Sequence, residues 1–277
     1  MTAADSLGAA AVGILSTADP AAKARRSRDA AAAWRAGALA AGEADPPDRP
    51  ARPARPLLLP AAEMPKRKTG PGLPGRVALL HALAHIELNA VDLAWDLIAR
   101  FGSPDLPRAF LDDWVGVAEE EARHFQLLSA RLAELGAAYG DLPAHDGLWQ
   151  AALTTRDDLL ARLAIAPLVL EARGLDVTPG MIASLRRHGD AESAAALEVI
   201  YREEIGHVAA GRRWFEWLSA RRGLVPEAAF QDLVRRHFRG RLKPPFNAPA
   251  RDAAGLTAAF YMPLVAEAEA RGGRSGR

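Results

Sequence analysis

Between Pro74 and Arg221 apolar residues recur at spacings of three and four, and nowhere do they alternate in twos over a run. The first spacing keeps one face of a helix apolar and the second would mark a half-buried strand, so the pattern predicts an all-α protein. Breaks divide it into four core helices. The first opens at Pro74 and reaches Phe101 before Gly102-Ser103-Pro104. The second runs from about Leu106 to Leu135 and stops at Gly136. The third spans about Leu148 to Arg173, with Pro167 expected to bend it, and ends at Gly174. Thr178-Pro179 then has the sequence of a cap and first-turn proline for a short helix to His188. The fourth core helix begins after the capping residues Asp190 to Ser193 and reaches about Arg221.

The flanks read differently. An Ala-rich N-terminal segment, strongest from Ala30 to Ala41, is helical by composition, but its place against the core is not legible. From Pro46 to Pro74 nearly half of the twenty prolines occur among Arg and Lys, which forbids helix and predicts an extended arm or spacer. After the core, a helix is expected over Pro226–His237, followed by an irregular tail. The resulting organisation is residues 1–73 as helical segment and Pro/Arg-rich arm, 74–221 as the bundle, and 222–277 as C-terminal helix and tail.

Each core stripe is interrupted by the same kind of residue. Glu87 sits among Val77, Leu80, Ala84, Val91, Ala94 and Ile98. Glu121 and His124 interrupt Phe110, Trp114, Val117, Phe125, Leu128, Leu132 and Leu135. Leu160, Ala164 and Pro167 lead to Glu171, and Glu204 with His207 lie within Leu197, Ile200, Val208, Gly211 and Phe215. Burying an uncompensated carboxylate costs several kcal/mol, and a whole fold is stable by only roughly 5–15 kcal/mol, so four such glutamates need neutralising. Two divalent cations balance four carboxylates, and two imidazoles add neutral donors. The spacing agrees: Glu-x-x-His sets both side chains on one helix face, it occurs twice, and Glu87 precedes Glu121 by 34 residues as Glu171 precedes Glu204 by 33. Two similar helix pairs are implied. The i, i+3 geometry favours Glu121 over Glu120 and Glu204 over Glu203, whose place is on a solvated or outer face.

Composition narrows the chemistry. The absence of cysteine excludes disulfides, thiolate-bound zinc and iron-sulfur clusters, leaving oxygen and nitrogen as metal donors. A net charge of +1 offers no global attraction to nucleic acid or membrane. No basic leader precedes the short apolar stretch at the N-terminus and no run approaches eighteen uninterrupted apolar residues, so no membrane association and a cytoplasmic location are expected. His81 and His85 lie a turn apart but have no counterpart in the second pair. Tyr201, one turn before Glu204, reads as a packed core tyrosine that approaches the metals. Arg173, Arg202 and Arg212 are expected at the surface, and Trp95, Trp114, Trp214 and Trp217 in the core.

A Glu from each of two helices and Glu-x-x-His from each of two others is the pattern of ferritin-like di-iron carboxylate proteins, which residues 74–221 resemble. The stretches HALAHIELNAVDLAWD, EEEARHF, LEARGLDVTP and YREEIGHV, with KPPFN in the tail, resemble a bacterial ferritin-like family known as domain of unknown function 455. More distantly, the chain is similar to the di-iron tRNA hydroxylase. The resemblance implies a ferritin-like four-helix bundle with two Fe ions, manganese or a mixed pair being equally compatible with the donors. It implies that Glu121 and Glu204 bridge the metals as the catalytic carboxylates, Glu87 and Glu171 bind terminally, and His124 and His207 each complete one metal's shell. The implied activity is an O2-dependent oxidase or hydroxylase, with O2, an unknown substrate and an electron donor as partners. Iron storage or detoxification and tRNA hydroxylation are the alternatives. RNA contact through the basic arm and a homodimer remain open.

Overall fold

The computed structural model describes residues 6–42, 44–60, 63–64, 70 and 72–272. Among them every regular element is helical; the β-type pairings are isolated bridges, Ser6 with Ala40 and Leu58 with Ala144. The chain forms two compact units, Met1–Leu153 and Thr154–Arg277.

In the first unit, α1 (Leu7–Leu15) and α2 (Pro20–Arg35) precede the long α3 (Leu73–Phe101) and α4 (Arg108–Glu134), and α5 (Gly147–Thr154) closes it. Leu80, Ala84, Leu88, Val91, Trp95 and Ile98 bury one side of α3, and Phe110, Trp114, Phe125, Leu128 and Leu132 do so on α4. By length and composition α3 could cross a bilayer, but 67% of its most apolar window is buried in the protein. Asn89, Asp92 and Asp96 are buried along it as well.

The N-terminal segment packs on this pair. Asp19 caps α2 by accepting from the Ala22 amide at 2.7 Å, with Pro20 in the first turn. Ser27 donates to the Ala118 carbonyl at 2.8 Å and accepts from the Trp95 indole at 2.7 Å, and the Trp34 indole donates to Asp112 at 2.8 Å. The helical run expected over Ala30–Ala41 stops at Arg35, because Gly37 takes a positive φ of 72° and turns the chain away.

The arm carries no helix through residues 46–60, as its prolines require, and it bends at Asp48, Arg49, Ala54 and Pro56. The Ala51 amide donates to the Leu15 carbonyl at 2.7 Å, and Ala144 pairs with the backbone of Leu57 and Leu59 at 3.0 and 2.8 Å. Two of its arginines are already engaged by acids, Arg49 with Asp146 at 2.6 Å and Arg52 with Asp92 at 2.8 Å. Arg55 is a third described basic residue of the arm, and Lys66, Arg67 and Lys68 lie outside the described residues.

The second unit departs from the sequence pattern. The helix expected over 148–173 is broken: α5 ends at Thr154, a turn follows, and α6 (Leu159–Ile165) starts afresh with Asp158 accepting from the Leu160 amide at 3.0 Å. It runs into a π-helical segment, Ala166–Glu171, and then α7 (Ala172–Arg187). Pro167 lacks the amide for an α-type bond, and the wider turn absorbs it. Gly174 ends nothing and Thr178-Pro179 begins nothing, since both lie inside α7. Leu175, Asp176, Ile182 and Leu185 are all buried, and this continuous inner face outweighs the local breaking signals. α8 (Ala191–Arg221) and α9 (Pro226–His237) follow as expected, Asp190 capping α8 by accepting from the Ser193 amide at 3.1 Å.

The tail is not irregular. Asn247 caps α10 (Ala248–Ala253), and α11 (Ala258–Gly272) follows. Phe260 meets Phe230 edge-on at 5.6 Å, and Phe230 meets Phe215 at 6.2 Å, so an aromatic column ties α11 through α9 to α8. Arg251 grips Asp176 with two bonds of 2.8 and 2.7 Å, fixing the tail on α7.

Candidate metal centre

In the first unit, packing of α3 on α4 brings together Glu87, Glu121 and His124. The Nδ1 of His124 lies 3.4 Å from Oε2 of Glu87 and 3.5 Å from Oε2 of Glu121. One donor atom from each of the three lies within 4.8 Å of the others. Glu121 and His124 are 0% exposed and Glu87 5%. The i, i+3 spacing on α4 sets Glu121 and His124 one turn apart, and the apolar stripe of α3 carries Glu87 inward to meet them. Oxygen and nitrogen donors in a buried, acidic cluster suit a small divalent cation.

Burial raises the Glu87 carboxyl well above its ordinary range; neighbouring Glu121 adds to the rise and His124 opposes it. Burial pulls the His124 imidazole down, but Glu121 and Glu87 overcome it and take its pKa up to about 11. Without a cation, the imidazolium provides the local positive charge. Its contribution to stability is present below the unfolded value of 6.5 and is lost as pH rises toward about 11. A metal needs the neutral imidazole, so binding must expel this proton. Mn(II) affinity is therefore expected to rise with pH between about 6 and 8, by about tenfold per unit for each proton released. Calorimetry in buffers of different ionisation enthalpy checks this; pH-independent binding without proton release contradicts it.

In the second unit, α8 repeats the motif. His207 Nδ1 lies 3.5 Å from Glu204 Oε2, and both are buried. Glu171 is the last residue of the π segment and is half-buried.

The other residues singled out by sequence have different tasks. His81 Nε2 accepts from the Gly140 and Leu142 amides at 2.9 and 3.4 Å, holding the loop after α4. His85 lies 2.9 Å from the Tyr139 hydroxyl and 3.1 Å from the His145 carbonyl, and burial lowers its pKa to about 4, so it is neutral. Both are structural. The Tyr201 hydroxyl accepts from Asn247 at 2.8 Å, which ties it to the tail. Arg173, expected at the surface, donates to the carbonyls of Lys243 and Pro245 at 2.7 and 3.2 Å. Arg212 pairs with Glu216 at 2.9 Å and covers Phe260. Glu120 and Glu203 are half-buried beside the buried Glu121 and Glu204.

One cluster near the site escapes sequence reasoning. Asp92, 0% exposed, binds Lys23 Nζ at 2.6 Å and Arg52 at 2.8 Å, and Lys23 also donates to the Ala51 carbonyl at 3.0 Å. Arg52 donates to Asn89 at 2.6 Å, and Asn89 contacts His85 at 3.1 Å. The available signal was Asn89, Asp92 and Asp96 following Glu87 in an otherwise apolar helix; nothing in the sequence named their partners.

The family described as "Protein of unknown function (DUF455)" matches residues 16–262. An uncharacterized protein of Haemophilus influenzae is 41% identical over 206 residues, covering 73% of this chain and 71% of that protein. No solved structure matches.

Proposed function

We propose, for a chain that belongs to the family described as Protein of unknown function (DUF455) and takes no reaction from it, an O2-dependent oxidase or hydroxylase built on a carboxylate-bridged two-metal centre. The observation that carries this reading is the buried convergence of Glu87, Glu121 and His124 to within 4.8 Å. The same Glu-x-x-His geometry on α8, and the matched spacings of 34 and 33 residues, support a second metal position with Glu171, Glu204 and His207. On these spacings α3, α4, the segment carrying Glu171, and α8 correspond to the four helices of a ferritin-like bundle.

Glu87 and Glu171 would bind terminally, Glu121 and Glu204 would bridge, and His124 and His207 would each complete one metal's ligands. A reduced two-iron pair, when bound, supplies the electrons that activate dioxygen. The chain's own residues present the four carboxylates to the cations, hold the imidazoles on the ligand face, and exclude water with Leu88, Val91, Phe125 and Leu128, which are buried along α3 and α4.

The expected result is rapid O2 consumption by anaerobically reduced, iron-loaded protein, followed with an oxygen electrode, and its absence in the metal-free chain. Iron storage gives a different outcome: a large cage in size-exclusion chromatography, loading many irons per subunit. That outcome, or a reduced protein inert to O2, sinks the oxidase reading.

A further inference from the structure

The segment that carries Glu171 is shaped by one backbone contact within the second unit. α8 carries Gly211 one turn beyond His207, and there it meets Pro167 of the π segment. A Cβ placed on Gly211 would lie 2.4 Å from both Cβ and Cγ of Pro167, with Leu168 at 3.6 Å. The proline ring is stiff, so the backbones could not keep their present separation with any side chain at 211. Gly211 has no positive φ to require glycine; the close approach alone does.

Four residues beyond Pro167 the π segment ends on Glu171. In an α-helix each residue turns about 100°, so exchanging the wide turn for a regular one would swing Glu171 by roughly that angle about the axis. We propose that the seating of Pro167 on Gly211 fixes this turn, making Gly211 and Pro167 positioning residues that set the affinity of the metal position served by Glu171 and His207, and of that position only. The inference rests on the two-metal reading above. Glu87, Glu121 and His124 lie on α3 and α4, outside this contact, whereas Glu171 ends the π turn, so the affinity of the position it serves depends on where that turn holds its carboxylate.

The test is calorimetric and optical titration of the metal-free full chain with Co(II). The wild type is expected to bind two ions in two steps. Gly211→Ala should weaken one step by at least about tenfold and move the other by less than about twofold. Pro167→Ala adds no atom and restores the missing amide, so it should fold even where Gly211→Ala does not, and it should show the same selective loss. A general packing defect would instead lower thermal stability and weaken both steps together. A folded variant that leaves both steps unchanged, or weakens both alike, overturns this inference while the two-metal reading stands. A wild-type chain that binds no Co(II) overturns both.

Discussion

Glu121→Ala is expected to remove most of the bound metal, taking the purified chain from about two ions to well under one. Glu121 is fully buried, touches His124, and is one of the two proposed bridging carboxylates. Its loss takes a ligand from both metal positions and a negative charge from a site whose cations need four. Glu120→Ala, one position away and half-buried, should keep both ions, which separates loss of a ligand from loss of helical charge. Elemental analysis of the two variants in parallel decides the matter. Equal metal content in both would remove Glu121 from the site.

The second large effect is expected at Asp92 and concerns stability. Asp92→Ala leaves the Lys23 ammonium, 1% exposed, and the Arg52 guanidinium facing each other without a counter-charge. Burial already pushes the Asp92 carboxyl up and the Lys23 amine down, each opposed by its partners, so desolvation is the main cost in this cluster. Breaking such a buried group from one side costs about 3–5 kcal/mol, although an apolar replacement of the whole cluster could be neutral. Urea unfolding should show that loss, together with release of the arm, since Arg52 and the Lys23–Ala51 bond clamp it to α2 and α3. A loss below about 1 kcal/mol would mean that the cluster is solvated in solution and holds nothing.

Particular elements show what was legible in the chain. Core helices one, two and four emerged within a few residues of their final limits because each is long, periodic and stopped by its own punctuation: Gly102 after α3, Gly136 after α4 and Asp190 before α8. Glu87, Glu121 and His124 were readable for the same reason, since a charged residue in the middle of a long apolar stripe has one direction to point. The segment from Leu148 to His188 was misread because its signals conflict. Asp158 starts a new helix at the polar stretch Thr154–Asp158, which has no Gly or Pro to mark a break, and Pro167, Gly174 and Pro179 announce breaks that packing on α8 and the Asp176–Arg251 pair override. Glu171 is legible as a ligand candidate but not in its placement, because nothing in a 3.6-residue period announces a π turn.

The ion clusters were hidden for a different reason. Lys23 and Asp92 are 69 residues apart, and Asp176 and Arg251 are 75, so no local pattern couples them. The tail illustrates the same limit. KPPFNAPARDA looks irregular because of its prolines, but Asn247 caps a helix while Arg251 and Asn247 tie it to Asp176 and Tyr201. Its role is to hold the second unit's helices together.

Two metal ions per chain is the expected stoichiometry. Elemental analysis of the protein, purified without chelator and again after anaerobic loading with Fe(II) and desalting, tests it most directly: the expected result is about two ions per chain, and a loaded, folded protein retaining none or only one would contradict the two-metal centre.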